Sequence, residues 1–158
     1  MEWTALISTA LGAVIGVGST LLADRLRWKR DTGERERETL HATYAQFLEA
    51  LTLARDLISH ASRDLTAAEE NRRSVTTALL DHGVHVKQYQ LELLAPPQVV
   101  AKARDAADKL AAYRDVVAEG GRRDDPACTK ARRAFRSSRQ ELMEAMRAAV
   151  AHRTGPGR

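Results

Sequence analysis

The stretch LHATYAQFLEALTLARDLISHASRDL (Leu40–Leu65) sets Leu40, Tyr44, Phe47, Leu51, Ala54, Ile58, Ala61 and Leu65 three or four residues apart. At 3.6 residues per turn this spacing stacks the apolar side chains on one side of a helix, whereas a half-buried strand would alternate. A helix with one apolar stripe has to bury it, and the rest of the chain supplies matching stripes. Val75, Leu79, Val86 and Leu93 mark a second segment, from about Ser74 to Leu94. Its end, VHVKQYQLEL (Val84–Leu93), alternates in part, but the chain offers no second strand to pair with it, so a helix is expected. Val99 or Val100, Ala103, Ala107, Leu110, Tyr113 and Val117 pattern a third helix, and Ala131, Phe135, Leu142, Ala145, Met146 and Ala149 a fourth.

Firm breaks set off the later segments. APPQ (Ala95–Gln98) ends one helix and offers a proline for the first turn of the next, and EGGRRDDP (Glu119–Pro126) ends the third. Composition agrees: aromatics are 4% of the 158 residues, and Ala, Leu, Arg, Asp and Glu dominate. The expectation is an all-α protein, with an antiparallel four-helix bundle over residues 39–153 and a disordered tail over 154–158, where the polar RTGPGR (Arg153–Arg158) frays. The single cysteine, Cys128, excludes an intramolecular disulfide framework and reads as an inert thiol in a reducing compartment.

Upstream of the bundle the chain changes character. DTGERERE (Asp31–Glu38) is too charged to be buried and reads as a solvated connector over residues 31–38, with Gly33 as either a hinge or a tolerated interruption of a near-continuous rod. Before it, Trp3–Ala23 is a run of 21 uncharged residues. A helix of that length, rising about 1.5 Å per residue, spans the roughly 30 Å hydrocarbon layer of a bilayer. A cleaved secretory signal fits poorly, because Met1 and Glu2 precede the run in place of a basic region. Residues 1–30 are therefore expected to form a transmembrane anchor at the cell membrane. Arg25, Arg27, Lys29 and Arg30 follow the run and no Lys or Arg precedes it, which orients the C-terminal bundle toward the cytoplasm. Trp3 and Trp28 flank the span where indoles favour the headgroup level. Within the run, Ser8, Gly12, Gly16 and Thr20 recur every four residues, a small-residue stripe suited to close helix–helix approach in lipid.

The anchor ALGAVIGVGSTLLADRLRW (Ala10–Trp28) and the joint LELLAPPQVVAKA (Leu91–Ala103) resemble a set of small, uncharacterised single-pass membrane proteins of high-GC actinobacterial type. The resemblance implies the same layout of anchor and helical bundle. It implies no activity and transfers no functional residues.

Chemistry is sparse in the sequence. His82 and His85 stand three apart beside Asp81, but two histidines fall short of the three or four protein ligands of a zinc site, so no metal is expected. His41 and His60 lie singly. There is no phosphate loop, nucleophile elbow or Glu-x-x-His pairing, and the Asp105/Asp108 and Glu141/Glu144 pairs are interleaved with basic residues or alanine, as on a solvated face. No enzyme activity and no cofactor is expected. The most suggestive polar feature is a basic stripe on the last helix, Arg132, Arg136 and Arg139, with Arg133 beside it, expected on a face opposite much of the Phe135 and Leu142 core side and suited to phosphates or an acidic partner. The net charge of +4 and pI near 9.6 fit such a partner without requiring one. The sequence shows no motif or aromatic array for reading nucleic acid. The leading expectation is a non-enzymatic, membrane-anchored interaction or scaffold protein, its partners being the bilayer and either its own copies or another membrane protein. The alternative is a regulatory bundle that binds nucleic acid or a small ligand through the basic last helix.

Overall fold

The computed structural model describes residues 34–63 and 68–154, which form helices and turns and no strand. The helices are α1 (34–61), α2 (Ala68–Asp81), α3 (Val84–Leu94), α4 (Pro97–Ala118) and α5 (Pro126–Thr154). The chain divides at Thr39–Leu40, and the unit from Leu40 onward contains the bundle. No helix among the described residues is long and apolar enough to cross a membrane. The expected span Trp3–Ala23, its flanks Arg25, Arg27, Trp28, Lys29 and Arg30, and the stripe Ser8, Gly12, Gly16 and Thr20 lie outside the described residues. So does most of the tail.

The core follows the stripes. Leu40, Tyr44, Phe47, Leu51, Ala54 and Ile58 of α1 are buried with Val99, Ala103, Ala107, Leu110, Tyr113 and Val117 of α4 and with Phe135, Leu142 and Met146 of α5. Ala61 is only partly buried, and Leu65 lies outside the described residues. Cross-links fix the helix directions. Lys87 Nζ donates to Gln46 Oε1 at 2.9 Å between α3 and α1, Lys102 pairs with Glu141 between α4 and α5, and Arg123 N–H donates to the Ser62 carbonyl at 3.1 Å. The last bond joins the end of α1 to the α4–α5 loop at one end of the bundle. The result is an up-down arrangement of four rods, the second of them broken. α4 and α5 make the most extensive pairing within α2–α5. Buried alanines on α4, at 103, 106 and 107, let that helix approach closely at the level of Phe135.

The break departs from the expected single helix over Ser74–Leu94. Gly83 takes φ 62°, ψ 30°, a left-handed conformation that an L side chain adopts only at a cost, and its N–H closes on the Leu80 carbonyl at 2.9 Å. The same residue caps α3, with Lys87 N–H donating to the Gly83 carbonyl at 2.9 Å. The phase of the helix changes with it. Continued at 100° per residue, the buried Val75–Leu79 stripe of α2 would carry Val86 and Leu93 inward; in α3 the buried residues are Val84 and Leu91, about half a turn away. Val86 and Leu93 are thus not core residues as the spacing predicts, and they face outward.

The other joints match their sequence signals. Pro96 is extended at the N-cap of α4 with Pro97 at the first helical position. At the far end of α4, Gly120 N–H reaches the Val117 carbonyl at 3.0 Å and Gly121 N–H the Val116 carbonyl at 2.9 Å, the double closure of a Schellman motif, with Gly120 at φ 97°. The two glycines serve different needs: Gly120 supplies the positive φ, and a Cβ on Gly121 would stand 2.5 Å from the Val116 carbonyl oxygen. Gly121→Ala is expected to lower stability by about 1–3 kcal/mol, and a shift of the urea midpoint of the purified full chain to lower concentration measures it. An unchanged midpoint would mean that the turn yields without strain.

Candidate functional site

α3 is where the bundle leaves apolar surface open. Val86 (58% exposed), Tyr89 (65%), Leu93 (84%) and Leu94 (43%) line its outer side, and Leu80 (75%) stands at the end of α2, just before the Gly83 turn. Beside the leucines, Thr43 and Gln46 of α1 and Gln90 of α3 border a shallow groove of about 310 Å³ shared with Leu93 and Leu94. The flanks of α3 are fixed by polar contacts. On the α1 side stands the Lys87–Gln46 hydrogen bond. On the α4 side Arg104 grips Glu92 with two bonds, Nε to Oε1 at 2.8 Å and Nη2 to Oε2 at 2.7 Å, while Gln88 Nε2 donates to Oε1 at 3.0 Å. The paired fork geometry holds α3 to the first turns of α4 on both sides of the proline joint.

These bonds pull the Glu92 carboxyl from its ordinary 4.5 down to about 2, the Arg104 bonds first and the Gln88 amide second. A carboxyl with a depressed folded pKa stabilises the fold above its unfolded value and loses that contribution as pH falls toward the folded one. The stability of the native chain should therefore decline between pH 4.5 and about 2, and Arg104→Met should flatten part of that decline. Urea midpoints taken at steps of pH check this; parallel curves for the two proteins would detach Glu92 from the acid response. Lys102 lowers the Glu141 carboxyl in the same direction through its hydrogen bond.

The basic stripe on α5 is only partly placed where the spacing predicts. Arg136 is exposed, but Arg132 and Arg139 are half-buried, because they sit at the shoulder of the Phe135–Leu142 core face and not opposite it. None of the three takes part in an ion pair among the described residues. The same strip of α5 continues through Met143, Arg147 and Val150, which with Tyr44 and Leu48 of α1 line an apolar groove of about 540 Å³. Arg55 lies farther along α1, beyond that groove. Arg55 Nη1 bonds Asp56 at 3.0 Å, and its Nε is buried with no hydrogen-bond partner. Sequence reasoning passed over Arg55 because it reads as one more charge on a solvated helix.

The histidine pair is separated by the chain itself. His82 is half-buried in the α2–α3 turn and His85 is exposed on α3, so Gly83 divides residues expected on one helix. No group of three or more His, Cys, Asp or Glu side chains suited to a metal occurs among the described residues. Cys128 is fully buried, and desolvation pushes its thiol pKa up, which keeps it in the unreactive protonated form. The chain matches no known protein family, no curated protein and no solved structure.

Proposed function

We propose that this chain is a membrane-tethered helical interaction module: residues 1–30 hold it in the bilayer with the bundle on the cytoplasmic side, and the outer face of α3 meets another protein. The carrying observation is the apolar side of α3, which the core does not use and which is larger than isolated surface leucines. A tyrosine among aliphatic side chains, with few charges, is also the composition of an interface centre. The tether rests on the charge-free run Trp3–Ala23, and the orientation on the four basic residues directly after it.

A C-terminal fusion to a reporter active only outside the cytoplasm tests location and orientation together. Silence of that reporter, with activity of a cytoplasmic reporter at the same position, is the expected result; strong extracytoplasmic activity overturns it. A second reading, favoured by Arg132, Arg136 and Arg139, none of which takes part in an ion pair among the described residues, assigns the basic stripe to an anionic ligand or nucleic acid. Changing Arg132, Arg136 and Arg139 to Ala would then weaken a salt-dependent association while leaving the helical signal unchanged.

A further inference from the structure

We infer that the outer face of α3 is covered by a second copy of this chain, in a twofold contact where the same face is contributed by both. The inference rests on the reading of the bundle as an interaction module and names its partner. Three observations select a copy of the chain over a different protein.

The first is shape. Protruding side chains and a depression lie side by side on one surface: Leu93 stands 84% exposed at the edge of the 310 Å³ groove bordered by Thr43, Gln46 and Gln90. A twofold axis through such a surface seats each copy's leucine against the other's groove, which is the self-complementarity an isologous contact requires.

The second is charge. The chain carries a net +4, so two copies repel unless they meet through a neutral face. α3 has one lysine and one glutamate, and both are engaged within the same copy, Lys87 by Gln46 and Glu92 by Arg104. Its outer side presents Val86, Tyr89, Gln90 and Leu93. Like meets like there without an uncompensated charge, whereas a strongly acidic or basic partner would find nothing to pair with.

The third is area. An aromatic buries about 150–250 Å² and aliphatic side chains somewhat less, so the exposed fractions of Val86, Tyr89, Leu93 and Leu94 on α3 leave roughly 450 Å² open. A standard specific interface takes about 800 Å² from each partner. The strip with its polar border of Thr43, Gln46 and Gln90 approaches that size, and its apolar part is as large as the largest patches a monomer leaves bare. The break at Gly83 explains why such a face exists at all, since it turns Val86 and Leu93 away from the interior that their spacing would otherwise enter.

Sedimentation of the full chain in detergent tests the inference, together with the double variant Val86→Lys/Leu93→Lys. Both positions are exposed, so helicity and melting temperature stay unchanged while association weakens by more than about tenfold, as for charge placed at the centre of an apolar contact. A monomeric native chain, or a variant as dimeric as the native one, overturns the inference. In-cell photocrosslinking from position 89, with Tyr89 replaced by a photoreactive residue, separates it from the broader reading. An adduct at twice the 17.5 kDa of the chain supports the copy–copy contact. An adduct of another mass overturns it while keeping an interaction module, and the absence of any adduct overturns both.

Discussion

Replacing Phe135 by Ala should lower the stability of the full chain by about 3–5 kcal/mol, the usual cost of removing a buried aromatic and leaving its cavity. Phe135 is 1% exposed on α5, the helix that within α2–α5 pairs most extensively with α4. The register given by Lys102–Glu141 puts its ring at the level of Ala106, Ala107 and Leu110. Alanines have no side-chain freedom with which to fill a void, so the cavity persists and the cost lies toward the upper end. Set against a total of about 5–15 kcal/mol for a domain of this size, the loss removes a large share of the bundle's stability. A fall in melting temperature of about 10 °C or more by circular dichroism is the expected readout. A variant melting within a few degrees of the native chain would show that α4 and α5 close the gap by sliding together.

Much of this architecture was legible in the residues, and the exceptions have one physical source. The stripes of α1, α4 and α5 are long, and those of α4 and α5 are bounded by Pro or Gly, so helical spacing alone picks out Leu40 to Ile58, Val99 to Val117 and Phe135 to Met146 as core. The second rod defeated the same reasoning. Val75, Leu79, Val86 and Leu93 share a face only if the helix is unbroken, and the left-handed φ of the glycine in LLDHGVH (Leu79–His85) ends α2 and re-phases α3. An interior Gly costs a helix only about 1 kcal/mol, so sequence alone does not tell a tolerated glycine from one that breaks. The candidate interface follows from that change of phase, which turns outward the valine and leucine that the spacing assigns to the core. The shoulder position of Arg132 and Arg139 was missed for a related reason: long side chains keep their charged ends in water while their stems lie along the core edge. The half-burial of an arginine therefore leaves no trace in the spacing.

The second large effect follows from the proposed tether. Arginine at the centre of a membrane helix disfavours insertion by about 2.5–3.5 kcal/mol, against a gain of about 0.3–0.6 kcal/mol for each Leu, Ile or Val. The run Trp3–Ala23 contains eight such aliphatic residues diluted by as many Gly, Ser and Thr, so its net preference for lipid is small. Val14→Arg with Val17→Arg should therefore exceed it and move the chain almost entirely from the membrane fraction to the soluble one. Val14→Leu with Val17→Leu should leave it in place.

Alkaline carbonate extraction of membranes from cells expressing the native chain tests the tethered-module account most directly, because it strips proteins held by charge or by partners and leaves those that span the bilayer. The account predicts that the native chain stays in the pellet while the double arginine variant is released. Release of the native chain into the supernatant would contradict it.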